Sequence, residues 1–212
     1  MTNSNKAKAP NISLMVKIAL LSAIAFVLTI DGLTRWRLPI FPAFLAMDVS
    51  DVPGILGAIV LGPVAGVWIM ALKNVLSTVI TGSISGGIGP FANFLFGVAY
   101  LLPMIYLFNR FGRSLKGFVI GAAAGTVVST VMAALLNYYM LIPAYAFFFG
   151  GMDNVIEAGA RANEGITGMT TMLMYAIIPF NLLKNALVSV VALVLYKALP
   201  EIWRRAGRNS GA

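Results

Sequence analysis

Long apolar runs, broken by short polar or charged joints, set the pattern of this chain. In order they are Met15–Ile30, Val52–Leu61, Val64–Ile80, Phe91–Phe108, Phe118–Phe149 and Met169–Leu199. A helix needs about 20 apolar residues to cross a bilayer. The fifth and sixth runs exceed that length, which predicts helices that tilt or whose ends project into the loops. The second run falls short, covering roughly 15 Å at the helical rise, about half a bilayer. It must be buried against neighbours or extended by the loop before it. Gly62-Pro63 separates the second run from the third. Read as a kink it leaves five spans, and read as a turn it gives six.

Charge placement separates these readings. With six spans and the N-terminus inside, the inner segments carry Lys6, Lys8, Lys17, Arg110, Arg113, Lys116, Lys197, Arg204, Arg205 and Arg208, with Glu201 alone among the acids. The outer loops then carry Asp31, Asp48, Asp51, Asp153, Glu157 and Glu164, with Arg35, Arg37 and Arg161. This is the asymmetry of the positive-inside rule. Five spans would put Arg110, Arg113 and Lys116 opposite the N-terminal lysines. The expectation is an all-α membrane protein of six transmembrane helices with both termini cytoplasmic.

Composition agrees. Of 212 residues, 59% are hydrophobic and 10% charged, against about 25% charged in soluble domains. The net charge of +8 fits loops beside anionic lipid rather than a nucleic-acid surface. There is no cysteine, hence no disulfide or thiolate metal site, and no histidine to shuttle protons. Nothing divides the chain, so 1–212 reads as one integral membrane domain, with a polar tail at 1–12 and a basic tail at 201–212. No small-residue cleavage site follows the first run, which therefore reads as a retained span rather than a signal peptide.

Small residues mark two helix faces. Gly117, Gly121 and Gly125 recur every fourth residue and would let another helix approach closely, chiefly within this chain. Ala19 and Ala23 share that spacing on the first span.

The chemistry-bearing residues lie within the spans. Lys73 and Lys184 are far from either end of their runs, and a charge at the bilayer centre costs about 2.5–3.5 kcal/mol on insertion scales. Asn181, Lys184 and Asn185 share one helix face by spacing. Lys73-Asn74, Asn93 and Asn137 fall at similar outer depths on three other helices. One such asparagine commonly ties helices together, but four helices bringing polar groups to one level predict a cavity with a polar ligand. The first outer loop is apolar and stiffened by Pro39, Pro42 and Pro53. Asp51 is placed to cap the second helix, Asp48 is freer to face the cavity, and Phe44, Leu45 and Met47 could form an apolar lid. Apolar walls with amide and ammonium edges suit a flat heteroaromatic ligand. The chain has no phosphate-cradling glycine loop, metal cluster or catalytic triad, and no acid within a span. It can bind a solute but shows no motor.

The runs Leu45-Ala46-Met47-Asp48-Val49-Ser50-Asp51-Val52-Pro53, Gly62-Pro63, Leu72-Lys73-Asn74, Asn93-Phe94 and Pro179-Phe180-Asn181 with Lys184-Asn185 resemble the riboflavin-specific substrate-binding (S) components of energy-coupling-factor (ECF) transporters, over roughly residues 15–200. The resemblance implies an ECF S-component-like fold with its site near the outer face, under the first loop. It implies riboflavin as a transported ligand rather than a cofactor, and partners comprising a transmembrane coupling subunit and two cytoplasmic ATPases in a prokaryotic plasma membrane. Counterparts of Asp48, Lys73, Asn137, Asn181 and Lys184 would surround the flavin, and Ala19 and Ala23 would dock the coupling subunit. Phe44, Leu45, Ala46, Met47, Asn74, Asn93 and Asn185 complete the expected site. The competing readings are a self-sufficient secondary carrier, disfavoured by the missing intramembrane acids and inverted repeat, and an S component for another vitamin. An enzyme has no supporting motif.

Overall fold

The computed structural model describes residues 12–82 and 86–198. Lys6, Lys8, Glu201, Arg204, Arg205, Arg208 and most of both tails lie outside them. The described residues are mostly helical, and among them there is no strand beyond two isolated bridges, Asp31 to Arg35 and Trp36 to Met47.

Helix α1 spans Ile12–Val27, α2 Val52–Leu61 and α3 Pro63–Leu76, the last extended by a π turn over Ser77–Thr81. Gly62 adopts φ 102°, a left-handed conformation that side chains resist. Pro63 then opens α3, its missing N–H no loss in a first turn. The chain therefore turns at Gly62-Pro63 rather than kinking, and α2 lies back along α3. A Cβ on Gly66 would sit 2.6 Å from Ala58 Cβ and 2.8 Å from the Gly54 carbonyl. The ten-residue α2 is thus buried by its neighbours, including Ile55 and Ala58.

Helix α4 runs Ile88–Arg110 and α5 Leu115–Leu136. Ser114 starts α5 by accepting the Gly117 N–H at 3.1 Å. The two helices touch along the glycine face: a Cβ on Gly121 would meet the Met104 carbonyl at 2.5 Å, and one on Gly125 the Tyr100 carbonyl at 2.5 Å. The small-residue spacing serves packing inside this chain.

The fifth apolar run continues through a π turn, Asn137–Leu141, into α6, Ile142–Phe149. The sixth comprises α8, Met169–Met172, a π turn over Leu173–Ile177, and α9, Ile178–Ala198. As continuous helices they measure 35 and 30 residues. Between them α7, Met152–Ala160, packs back on the bundle through Val155 and Gly159. Four helical stretches are long and apolar enough to cross a membrane, while Ile12–Val27 and Val52–Leu61 are shorter apolar helices.

Two apolar clusters form the interior. One joins α2, α3, α4, α5 and α9 around Ile55, Leu101, Phe108 and Val188. The other joins the first loop to the far ends of α5, α6 and α9 around Phe41, Met47, Ile142 and Phe180. Along α9, Phe180 belongs to one and Val188 to the other, so Asn181, Lys184 and Asn185 fall between them. A polar layer separates the two cores.

Candidate ligand-binding site

The polar layer borders a cavity. From the loop between α1 and α2 its walls take Phe44, Leu45, Ala46 and Asp48. Asn74 of α3, Asn93 of α4 and Asn137 of the π turn add amides, and α9 adds Asn181, Lys184 and Asn185. Ten of the sequence-predicted site residues therefore converge, from five parts of the chain. Lys73 and Met47 stand outside the walls. Met47 exchanges backbone hydrogen bonds with Trp36 at 2.9 Å and buries its side chain in the second core. Its side chain does not line the cavity in this conformation.

Lys73 is fully buried behind the wall. Its Nζ donates to Asp51 Oδ1 at 2.5 Å and to Ser50 Oγ at 2.6 Å. Asp51 occupies the N-cap position of α2, yet its side chain makes no capping bond. The expected cap is replaced by an ion pair, because a buried ammonium needs a buried anion more than a helix end needs one acceptor. The acids that neutralise these lysines are supplied by the loop, which folds inward to reach them.

Ser50 passes the interaction on: its hydroxyl donates to Asp48 Oδ1 at 2.6 Å, and its backbone N–H donates to the same oxygen at 3.0 Å. Burial alone would raise the Asp48 carboxyl. The Lys184 and Lys73 ammonium groups and the Ser50 bonds outweigh it and hold the group below its ordinary value. Lys184 Nζ donates to Asn93 Oδ1 at 2.7 Å and lies 3.7 Å from Asp51 and 3.9 Å from Asp48.

The amides have a fixed sense. Asn74, Asn137 and Asn181 each donate Nδ2 at 2.8 Å to the carbonyl four residues back, of Met70, Ala133 and Ile177 respectively. A carbonyl only accepts, so each NH2 must face its own helix and each Oδ1 must face away. Asn74 Oδ1 receives Asn93 Nδ2 at 3.3 Å. Asn185 Nδ2 is buried without a partner. Asn137 opens the π turn over Asn137–Leu141, and such turns often occur at functional sites; Asn74 and Asn181 lie within about one helical turn of those over Ser77–Thr81 and Leu173–Ile177.

Other wall residues were not singled out by sequence reasoning as ligand contacts. Asp51, Tyr145 and Phe180 line the cavity. Tyr145 lies 5.6 Å, centroid to centroid, from Phe44, and Phe180 lies 5.4 Å from Phe41. The four-residue steps from Asn137 to Leu141 to Tyr145 were a usable signal for the first. Phe180, beside Asn181, carried no signal distinguishing it from a core phenylalanine. Ala19 and Ala23 sit elsewhere, exposed on α1.

A mixed polar and aromatic cavity beneath a folded loop, in a helical membrane protein, has the form of a solute-binding component. The chain belongs to the family "ECF transporter, substrate-specific component", which it matches over residues 13–196. It is 35% identical over 191 residues to the riboflavin transporter RibU of Staphylococcus aureus, covering 90% of this chain and 92% of that one. It is also 35% identical over 190 residues to the riboflavin transporter FmnP of Bacillus subtilis, covering 89% and 93%. The solved S component of a bacterial ECF transporter superposes with a TM-score of 0.70 at 32% identity, covering 91% of this chain and 98% of that one. The chain is a multi-pass protein of the prokaryotic plasma membrane and not an enzyme.

Proposed function

We propose that this chain is the riboflavin-capturing S component of an ECF transporter. It would take the vitamin at the outer face and deliver it through a complex with a transmembrane coupling subunit and two cytoplasmic ATPases. The observation that carries this reading is the cavity's mixed polarity: Asn137 and Asn181 present acceptors, while Lys184 and Asn185 present donors. A flavin ring edge carries carbonyl oxygens, ring nitrogens and one imide N–H, so it needs both kinds. Phe44, Tyr145 and Phe180 supply apolar wall for the ring faces. The names of the relatives point to the same vitamin.

In this reading the six apolar helical regions each traverse the bilayer, with both termini cytoplasmic. The basic joint Arg110, Arg113 and Lys116 then faces the cytoplasm, and the cavity opens outward. The exposed Ala19 and Ala23 form the face on which the coupling subunit docks. The test of ligand class is the absorption spectrum of the purified protein. A flavin spectrum, in the released ligand as well as the protein, is expected. A protein that stays colourless after incubation with riboflavin and removal of the excess would contradict the proposal.

A further inference from the structure

Two buried lysines have one carboxylate between them. Lys73 Nζ holds Asp51 Oδ1 at 2.5 Å, while Asp51 Oδ2 lies 3.7 Å from Lys184 Nζ. The second gap is too long for a hydrogen bond but short enough to close by a small side-chain rotation. Of Lys184's three N–H groups, the structure commits one, to Asn93 Oδ1 at 2.7 Å. Lys184 lines the cavity and Lys73 does not. Lys73 also holds Ser50 Oγ at 2.6 Å, and that hydroxyl holds Asp48 Oδ1 at 2.6 Å. One lysine therefore restrains both acids that face Lys184.

We propose that Lys73 is a positioning residue: by holding Asp51, it prevents that carboxylate from capturing Lys184, whose remaining N–H groups stay turned toward the ligand. Charge-assisted hydrogen bonds are about twice as strong as neutral ones. A buried carboxylate that loses its partner takes another ammonium within reach. Without Lys73 that ammonium is Lys184, which then commits an N–H to Asp51 and withdraws it from the ligand. The inference rests on the riboflavin reading of the cavity and assigns Lys73 a role behind the wall rather than on the ligand.

The test is a cycle of wild type, Lys73→Met, Asp51→Asn and the double variant, measured for riboflavin affinity and for melting temperature in detergent. Lys73→Met is expected to weaken binding about tenfold or more at a melting temperature near wild type, because Lys184 takes over the charge of Asp51, whereas the same change made on Asp51→Asn is expected to alter binding by less than about threefold. A lysine that merely packs the loop against α3 predicts a melting temperature that falls together with binding in Lys73→Met, since breaking a buried pair leaves an unpaired charge. A loss of about tenfold on adding Lys73→Met to Asp51→Asn, at an unchanged melting temperature, overturns the proposal, as does unchanged binding in Lys73→Met. Should Lys73→Met fail to insert, the comparison of Asp51→Asn with the double variant decides. Binding by the two within about threefold of one another supports the proposal, and a further loss of about tenfold in the double variant at the same melting temperature defeats it. Failure of wild type to bind riboflavin would strike at the ligand assignment, a separate result.

Discussion

Helices α4 and α5 meet where side chains have been removed, and the loop meets α3 and α9 where long polar side chains reach across. At the first seam, Gly121 and Gly125 let backbone approach backbone, and the register rests on that close fit together with the Ser129 hydroxyl, which donates to the Phe96 carbonyl at 2.9 Å. At the second, Lys73, Asp51, Ser50 and Asp48 form one connected set, and each member fixes the next. A seam built on glycine tolerates almost no added volume, and its loss unfolds the protein. A seam built on ion pairs can be rewired while the fold survives, so binding is where its damage shows.

The largest effect therefore belongs to the glycine seam. Gly121→Leu should lower stability by about 3 kcal/mol or more, since overpacking against rigid backbone is costly. Thermal unfolding and size-exclusion behaviour in detergent would read this. A variant that melts like wild type would mean that the α4–α5 contact is softer than the distances imply.

Next come the cavity walls. Asn181→Ala and Lys184→Met should each weaken riboflavin binding by roughly tenfold to hundredfold, about 1–3 kcal/mol for a lost partner in a dry site. Their melting temperatures should stay near wild type, in contrast to Gly121→Leu. Lys184→Met keeps the length of the side chain, so its loss cannot be assigned to a void. Equal binding in both variants, with the fold intact, would remove α9 from the site.

Much of this contrast was written in the sequence. The glycine face was legible because a four-residue period needs only one helix to be read. The turn at Gly62-Pro63 was legible from charge, and the short α2 from its length. The lysines and asparagines stood out because spans rarely carry them. Their pairing did not stand out. Asp51 lies 22 residues from Lys73, and local rules favoured the N-cap role. No periodicity reports that a loop will fold inward to supply an anion. Met47 shows a related limit: an apolar residue in an apolar loop gives no sign of whether it will face a ligand or pair with Trp36. Lys73 was rightly marked as unusual, but its place behind the wall depended on the unseen Asp51.

A smaller effect concerns acid. Asp48 titrates below its usual value of 3.8 in the folded chain. A carboxyl lowered by folding contributes stability above its unfolded pKa and loses it as pH falls through the folded value. The melting temperature should therefore be insensitive to Asp48 from about pH 8 to about pH 5, and should fall only in more acid solution. Comparing Asp48→Asn with wild type across that range isolates the contribution. A difference between the two that changes between about pH 5 and about pH 8 would mean that Asp48 is not held in its charged form.

The smallest effect on this chain itself is expected on α1. Ala19→Leu and Ala23→Leu alter an exposed face and should leave both melting temperature and riboflavin affinity unchanged. Co-purification with the coupling subunit should drop, because larger side chains hold helices apart. Normal assembly in both variants would rule out this docking face.

The central claim, that the polar cavity is built for a flavin, is tested most directly by titrating the purified wild-type chain with riboflavin, thiamine and biotin in turn. Trp36 and Trp68 provide the fluorescence signal. The account predicts saturable quenching by riboflavin at one site per chain and none by the other two. Saturable quenching by thiamine or biotin, with none by riboflavin, would contradict it.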